Sequence, residues 1–131
     1  MKTTAIGKIG EQYFKKELMN RQIPFEDVSI RGNKRGCDFI VNGLKVEVST
    51  SRVDHLNRYS GNLRTSTRGL DTFDIYIFVN INDKLKLERI YIFPKGSLDG
   101  LSKISIYNNP EAKSAKKYKQ FLDNWGILTC I

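Results

Sequence analysis

Two acidic residues flank a predicted tight turn in the stretch Gly36–Thr50, and their spacing could do chemistry. Asn42-Gly43 lies between short alternating apolar runs. That pair predicts a β-hairpin with a type I′ turn, because both central residues must adopt φ > 0 and these two tolerate it. With a two-residue turn Val41 faces Leu44, and counting outward in pairs sets Asp38 directly across from Glu47. Opposed side chains in an antiparallel pair have Cβ atoms roughly 4.5–5.5 Å apart, and like charges placed there destabilise the sheet. A divalent cation held by oxygen ligands would offset that repulsion. A plainer reading also fits: Leu44, Val46 and Val48 alternate with Lys45, Glu47 and Ser49, as in any sheet with one wet face.

The elements that must position this pair can be read outward from it. Residues from Thr4 to about Arg21 predict a first helix, with Thr3 or Thr4 as N-cap and Ile6, Ile9, Tyr13, Phe14 and Leu18 on one arc. Glu11 falls at the edge of that arc, while Gly7 and Gly10 lie on its inward side and suggest close approach to a sheet. Phe25 to Ile30 reads as a strand. A basic, glycine-rich turn follows at 31–36, whose Lys34 and Arg35 suit a phosphate-bearing substrate or a simple connection. Beyond Thr50 the alternation stops. Residues 51–70 carry Arg52, Arg58, Arg64 and Arg68 with Ser66 and other hydroxyls, the composition of a phosphate-contacting surface. The one histidine, His55, receives no role. Residues 72–80 predict a buried strand, followed by one ending at Pro94 and a short one near 103–106. A last helix is predicted over 110–123, with Ala112, Ala115, Tyr118 and Leu122 inward and Trp125 sealing its end.

Composition narrows the function classes. The 131 residues fit one domain spanning 1–131, and the 22 Lys+Arg against 14 Asp+Glu give a net charge of +8, which favours a polyanionic partner. No apolar run approaches the roughly 20 residues of a membrane span, and the N-terminus lacks a signal-peptide core, so a cytoplasmic location is expected. Cys37 and Cys130 have no zinc-ligand spacing and read as inert thiols.

Glu11 on a helix after Gly7-x-x-Gly10, Asp38 at the start of one strand and Glu47 in Val-Glu-Val-Ser on the next together resemble the PD-(D/E)XK nuclease superfamily. The N-terminal half is most similar to archaeal Holliday-junction resolvases and related small endonucleases. The resemblance implies an α/β fold with a restriction-endonuclease-like αβββαβ core, a mixed central sheet flanked by helices, and Mg2+-dependent hydrolysis of DNA, with Mn2+ able to substitute. Carried onto this chain, it implies Asp38, Glu47 and the Val48 carbonyl as metal ligands, with Glu11 acting directly or through water. Magnesium's preference for a few carboxylates plus water and phosphate oxygens agrees.

One position departs from the pattern: the family's lysine, two residues after the glutamate, is Ser49. A hydroxyl cannot supply that positive charge. Lys45, on the same strand face, or Arg52, Lys34 or Arg35 are the candidates to replace it. The expected function is therefore a metal-dependent DNA endonuclease, structure-specific or site-specific, working as a homodimer because two-strand cleavage needs two centres. The alternative is a DNA-binding module of the same fold with impaired catalysis. Serine hydrolysis through Ser49, Ser51, Asp54 and His55 is set aside, since no Gly-x-Ser-x-Gly elbow is present.

Overall fold

In the computed structural model, residues 3–28, 37–63 and 73–129 are described. The expected basic turn with Lys34 and Arg35 lies outside them, as does the segment with Arg64, Ser66 and Arg68. The elements in chain order are α1 (Thr3–Asn20), β1 (Glu26–Asp27), β2 (Phe39–Val41), β3 (Leu44–Arg52), β4 (Arg58–Asn62), β5 (Ile75–Ile81), β6 (Leu87–Pro94), β7 (Lys103–Tyr107), α2 (Lys113–Lys117) and α3 (Gly126–Thr129). Five strands form a sheet in the order β1-β2-β3-β5-β6, in which β3 and β5 run parallel and the other neighbours antiparallel. This is the mixed sheet flanked by helices that the sequence predicts. Among the described residues, the connection from β3 to β5 carries β4 rather than a helix.

Strand alternation divides the apolar residues between two cores. On one face Val46 and Val48 of β3 and Ile75, Ile77, Val79 and Ile81 of β5 pack against Phe14 and Leu18 of α1 and against Trp125 and Leu128. On the other face Tyr76, Phe78, Tyr91 and Phe93 pack against Tyr59, Leu63, Ile104 and Ile106. These last four come from a separate antiparallel ribbon, β4 with β7. The molecule is thus layered as helix, sheet and ribbon. Gly10 sets the spacing of the first pair: a Cβ there would stand 1.7 Å from Thr50 Oγ1, so α1 can lie this close to β3 only without one. Gly7, read from sequence as a second close approach, has nothing within 4 Å of its would-be Cβ.

Two sequence expectations fail for non-local reasons. Residues 58–62, assigned to an irregular loop, form β4, whose residues pair with β7 from Arg58↔Tyr107 to Asn62↔Lys103. The helix predicted over 110–123 is instead the short α2, a 3₁₀ turn at Lys119–Phe121, and an extended Leu122 that bridges Tyr91 of β6. The Asp123 N–H then donates to the Ile90 carbonyl at 3.0 Å, and Asp123 takes φ 53°. That exchange of helical for sheet-edge hydrogen bonds carries the chain around β6 to the opposite core. There Trp125 stacks on Phe14 at 5.8 Å and lies under the Arg21 guanidinium, rather than closing a helix.

Candidate active site

The hairpin forms as its turn residues dictate, with Asn42 at φ 51° and Gly43 at φ 80°. The Asn42 side-chain amide also donates to the Leu128 carbonyl. Phe39↔Val46, Ile40↔Lys45 and Val41↔Leu44 pair in the register counted from the turn. The regular pairing ends there: the Asp38 N–H donates to the Val46 carbonyl at 2.8 Å, so the ladder is offset by one residue and Asp38 shares Val46 with Phe39 instead of standing squarely across from Glu47 as the count predicts. Glu47 falls on the sheet face away from α1, since its β3 neighbours Val46 and Val48 occupy the helix-side core.

Asp38 is 6% exposed, an uncommon place for a carboxylate. Its backbone is stitched into the sheet on both sides: its N–H donates to the Val46 carbonyl at 2.8 Å, and its carbonyl accepts from Val28 N–H at 3.0 Å. Its carboxylate Oδ2 accepts from Val48 N–H at 2.8 Å, replacing the ladder partner that β2 is too short to provide. Burial pushes the carboxyl above its usual range, the Val48 N–H offsets part of that, and the Asp27 charge adds to it. Among the described residues no cation pairs with Asp38. A strand residue sends its N–H and C=O to the same side, so the Val48 carbonyl borders the same cleft.

Glu47 is half-buried on β3, in register with Tyr76 of β5. Lys45 and Ser49 flank it on the same face. The Lys45 backbone is fixed at the head of β5, where its N–H donates to Asp74 Oδ2 at 2.9 Å and its carbonyl accepts from Asp74 N–H. Cys37, buried and reduced, lies among these charges. Burial and then the Asp38 charge raise its thiol, Lys45 and a main-chain hydrogen bond from Val46 oppose this, and Glu47 adds a further upward push. The Cys37 thiol thus lies within reach of the Asp38, Lys45 and Glu47 charges, while the charge that acts on Asp38 itself is that of Asp27.

Other predicted residues stand apart. Glu11, half-buried, belongs to the helix layer on the opposite face of β3, one residue past the Gly10–Thr50 contact. Among the described residues no group of three or more His, Cys, Asp or Glu side chains is arranged to hold a metal. Arg52, at the far end of β3, donates to the Asp83 carbonyl at 2.7 Å. Arg58 sits on the ribbon with its Nε 2.8 Å from Asp54 Oδ2. The residues considered for serine chemistry are occupied separately: Ser51 Oγ accepts the Ser60 N–H, Asp54 holds Arg58, and His55 is exposed.

Sequence reasoning missed Tyr76. Its hydroxyl is buried against the ribbon, where a Cβ on Gly61 would stand 3.1 Å away. Burial pushes it up to about 12; the nearby Ser49 hydroxyl opposes the shift and the Glu47 charge adds to it. Even so, among the described residues no hydrogen bond of good geometry satisfies Tyr76 Oη. No signal in the sequence marks Tyr76, because its place beside Glu47 comes from the parallel pairing of β3 with β5.

The residues present suit a hard divalent cation: a buried carboxylate with one oxygen engaged by a main-chain N–H, a second carboxylate on the adjoining strand, and a neighbouring main-chain carbonyl. No family model matches the sequence, and no curated protein matches it. Among solved structures the chain is similar to the bacterial homing endonuclease I-Ssp6803I, with a TM-score of 0.73 and 23% sequence identity over 96% of this chain and 90% of that one. The chain thus shares its fold, nearly end to end, with a homing endonuclease.

Proposed function

We propose that this protein is a metal-dependent DNA endonuclease of the PD-(D/E)XK type, with Asp38 and Glu47 at its centre. The observation that carries the reading is a buried carboxylate, Asp38, with no cation partner among the described residues, bonded to the Val48 N–H of the strand that carries a second acid, Glu47. The fold shared with a homing endonuclease and the net charge of +8 support it.

In this reading Asp38, Glu47 and the Val48 carbonyl would hold Mg2+, or Mn2+ in its place, while Glu11, set in the helix layer on the other face of β3, is left outside the ligands. Such an ion supplies charge neutralisation at the phosphate and a lowered pKa for an attacking water. The chain's own residues do the positioning. Asp38 is locked in one orientation by the Val48 N–H, and Glu47 is fixed by the β3–β5 ladder. Lys45 offers the positive charge on this face that Ser49 lacks, and Ser49 can contribute only a hydroxyl. Arg58, with Lys34, Arg35, Arg52, Arg64, Ser66 and Arg68, contributes to holding DNA. A homing target, another specific duplex site or a branched junction of the resolvase kind would each suit these acids. A single centre cuts one strand, so two-strand cleavage calls for a homodimer.

The second reading, a DNA-binding module without turnover, rests on Ser49, whose hydroxyl lies beside Tyr76 where the family has a lysine. Incubating the protein with supercoiled plasmid and with four-way junction, in Mg2+ or in EDTA, separates the two. An endonuclease cleaves at least one substrate in Mg2+ and neither in EDTA. Salt-sensitive binding with no cleavage of either would establish the module instead.

A further inference from the structure

The outward face of the β4–β7 ribbon plays no part in the chemistry above. Tyr59, Leu63, Ile104 and Ile106 point inward and are at most 1% exposed, which staples the ribbon to the sheet. The alternate residues face outward in three cross-strand pairs: Arg58 with Tyr107, Ser60 with Ser105, and Asn62 with Lys103. All six side chains carry hydrogen-bonding groups, and none is acidic, in a chain that has 14 acidic residues.

From this pattern, and resting on the reading of the protein as a DNA endonuclease, we infer that the β4–β7 ribbon enters the DNA major groove and reads base edges. A two-stranded ribbon is one of the two elements that the groove, about 12 Å wide, admits. The side chains are graded for such an approach. At the centre Ser60 Oγ and Ser105 Oγ lie 3.4 Å apart, small enough to let the backbone come near the bases. Longer side chains flank them at both ends. An open groove of about 460 Å3 runs beside the ribbon, bordered by Ser60, Gly61, Asn62, Ser102 and Lys103.

The chemistry of each pair matches a base edge. Asn62 can donate to and accept from adenine, Lys103 can donate to guanine O6 and N7, and the serines can serve either. Arg58 is pre-oriented, because Asp54 accepts from its Nε–H at 2.8 Å and fixes the guanidinium plane. Lys103 brings a positive charge to the polyanion, Arg58 brings one that is shared with Asp54, and none of the six paired side chains is a carboxylate. The ribbon is also tied to the acids. Gly61 lies against Tyr76, whose register partner is Glu47, so the Asn62–Lys103 end is the end nearer the candidate scissile position. Bases read by Asn62 and Lys103 should therefore lie closer to the cut than those read by Arg58 and Tyr107.

The test is selection of bound sequences from a random-sequence duplex library. It uses the Asp38→Asn protein, so that the readout does not depend on cleavage. The parent enriches a defined sequence, while Asn62→Ala and Lys103→Ala added to it lose discrimination by about 5- to 100-fold at one or two adjacent positions and keep the rest. Both residues are exposed, and circular-dichroism melting of each variant checks that it stays folded. The inference is overturned if the parent enriches no sequence or if either variant enriches the parent's sequence unaltered. It is equally overturned if the variants weaken all sequences uniformly with a shallower salt dependence, the mark of phosphate contacts. Failure of plasmid and junction cleavage with sequence selection intact would sink the endonuclease reading and leave the ribbon's role standing.

Discussion

At the scale of the residue, the site is built from groups held in unfavourable settings. Asp38 is a buried carboxylate whose main-chain partner offsets only part of its desolvation, and Tyr76 is a buried hydroxyl without a satisfying hydrogen bond. Tyr76 gives a clean prediction. Removing a buried, unpaired hydroxyl relieves a cost of about 1–3 kcal/mol, so Tyr76→Phe should raise the denaturant midpoint at neutral pH. The alkaline limb should change as well. A folded-state pKa near 12 against an ordinary 10 means that the folded protein holds this proton more tightly. The resulting stability is fully present below pH 10 and is lost as pH rises through 12. Tyr76→Phe should flatten that loss, which denaturant titrations from pH 9 to 12 will measure; an unchanged alkaline limb would contradict the assignment. The legibility of the two residues differs for a physical reason. The hairpin that carries Asp38 could be placed from sequence as far as Phe39↔Val46 because a two-residue turn fixes its register locally, whereas Tyr76 depends on a parallel pairing that no local signal encodes.

At the scale of the element, close approach between layers decides what the sequence can tolerate. Gly10→Ala would drive a methyl to 1.7 Å from Thr50 Oγ1 and 2.7 Å from Thr50 Cβ, so α1 must lift from β3. We expect a loss of about 3 kcal/mol in stability, with part of it regained by adding Thr50→Ala, which removes the two atoms Oγ1 and Cγ2. Chemical denaturation of the single and double variants measures both effects, and a Gly10→Ala protein as stable as the parent would refute the packing argument. The helix glycine was readable from its place on the apolar arc. The ribbon strand β4 was not, because Arg-Tyr-Ser-Gly-Asn has one large inward residue, Tyr59, and Gly61 supplies the close approach to Phe78 and Tyr76 instead of an apolar side chain. The C-terminal stretch misled in the opposite direction. Ala112, Ala115, Tyr118 and Leu122 are spaced as a helical stripe, yet the Tyr91–Leu122 bridge and the stacking of Trp125 on Phe14 outweigh local helix propensity.

At the scale of the whole molecule, three layers divide the work. The helix layer anchors β3 from behind, the sheet carries Glu47 on its other face, and the ribbon lies over that face with a polar exterior of six paired side chains, none of them acidic. With a net charge of +8, binding to duplex DNA should weaken linearly in log affinity against log salt, by about 0.9 per phosphate engaged. Fluorescence anisotropy from 50 to 400 mM salt would measure the slope, and affinity indifferent to salt would argue against a nucleic-acid partner. None of the helices in the described residues is long and apolar enough to cross a membrane. The α/β class and the acid-bearing hairpin were legible because both follow from short-range periodicity and one turn. The two-sheet layering was not, since it arises from contacts between β4 and β7, which are distant in sequence.

The account stands or falls on Asp38 and Glu47 acting together. The decisive measurement is the rate of DNA cleavage in Mg2+ by the parent, Asp38→Asn and Glu47→Gln proteins, with melting and DNA binding followed alongside. Asn can still accept the Val48 N–H, so the Asp38→Asn fold should melt no lower than the parent at neutral pH. The predicted result is cleavage by the parent alone, with each variant slower by at least about a thousandfold, a loss of roughly 4 kcal/mol in transition-state stabilisation, and still bound to DNA. Cleavage by either variant at the parent's rate would contradict the site.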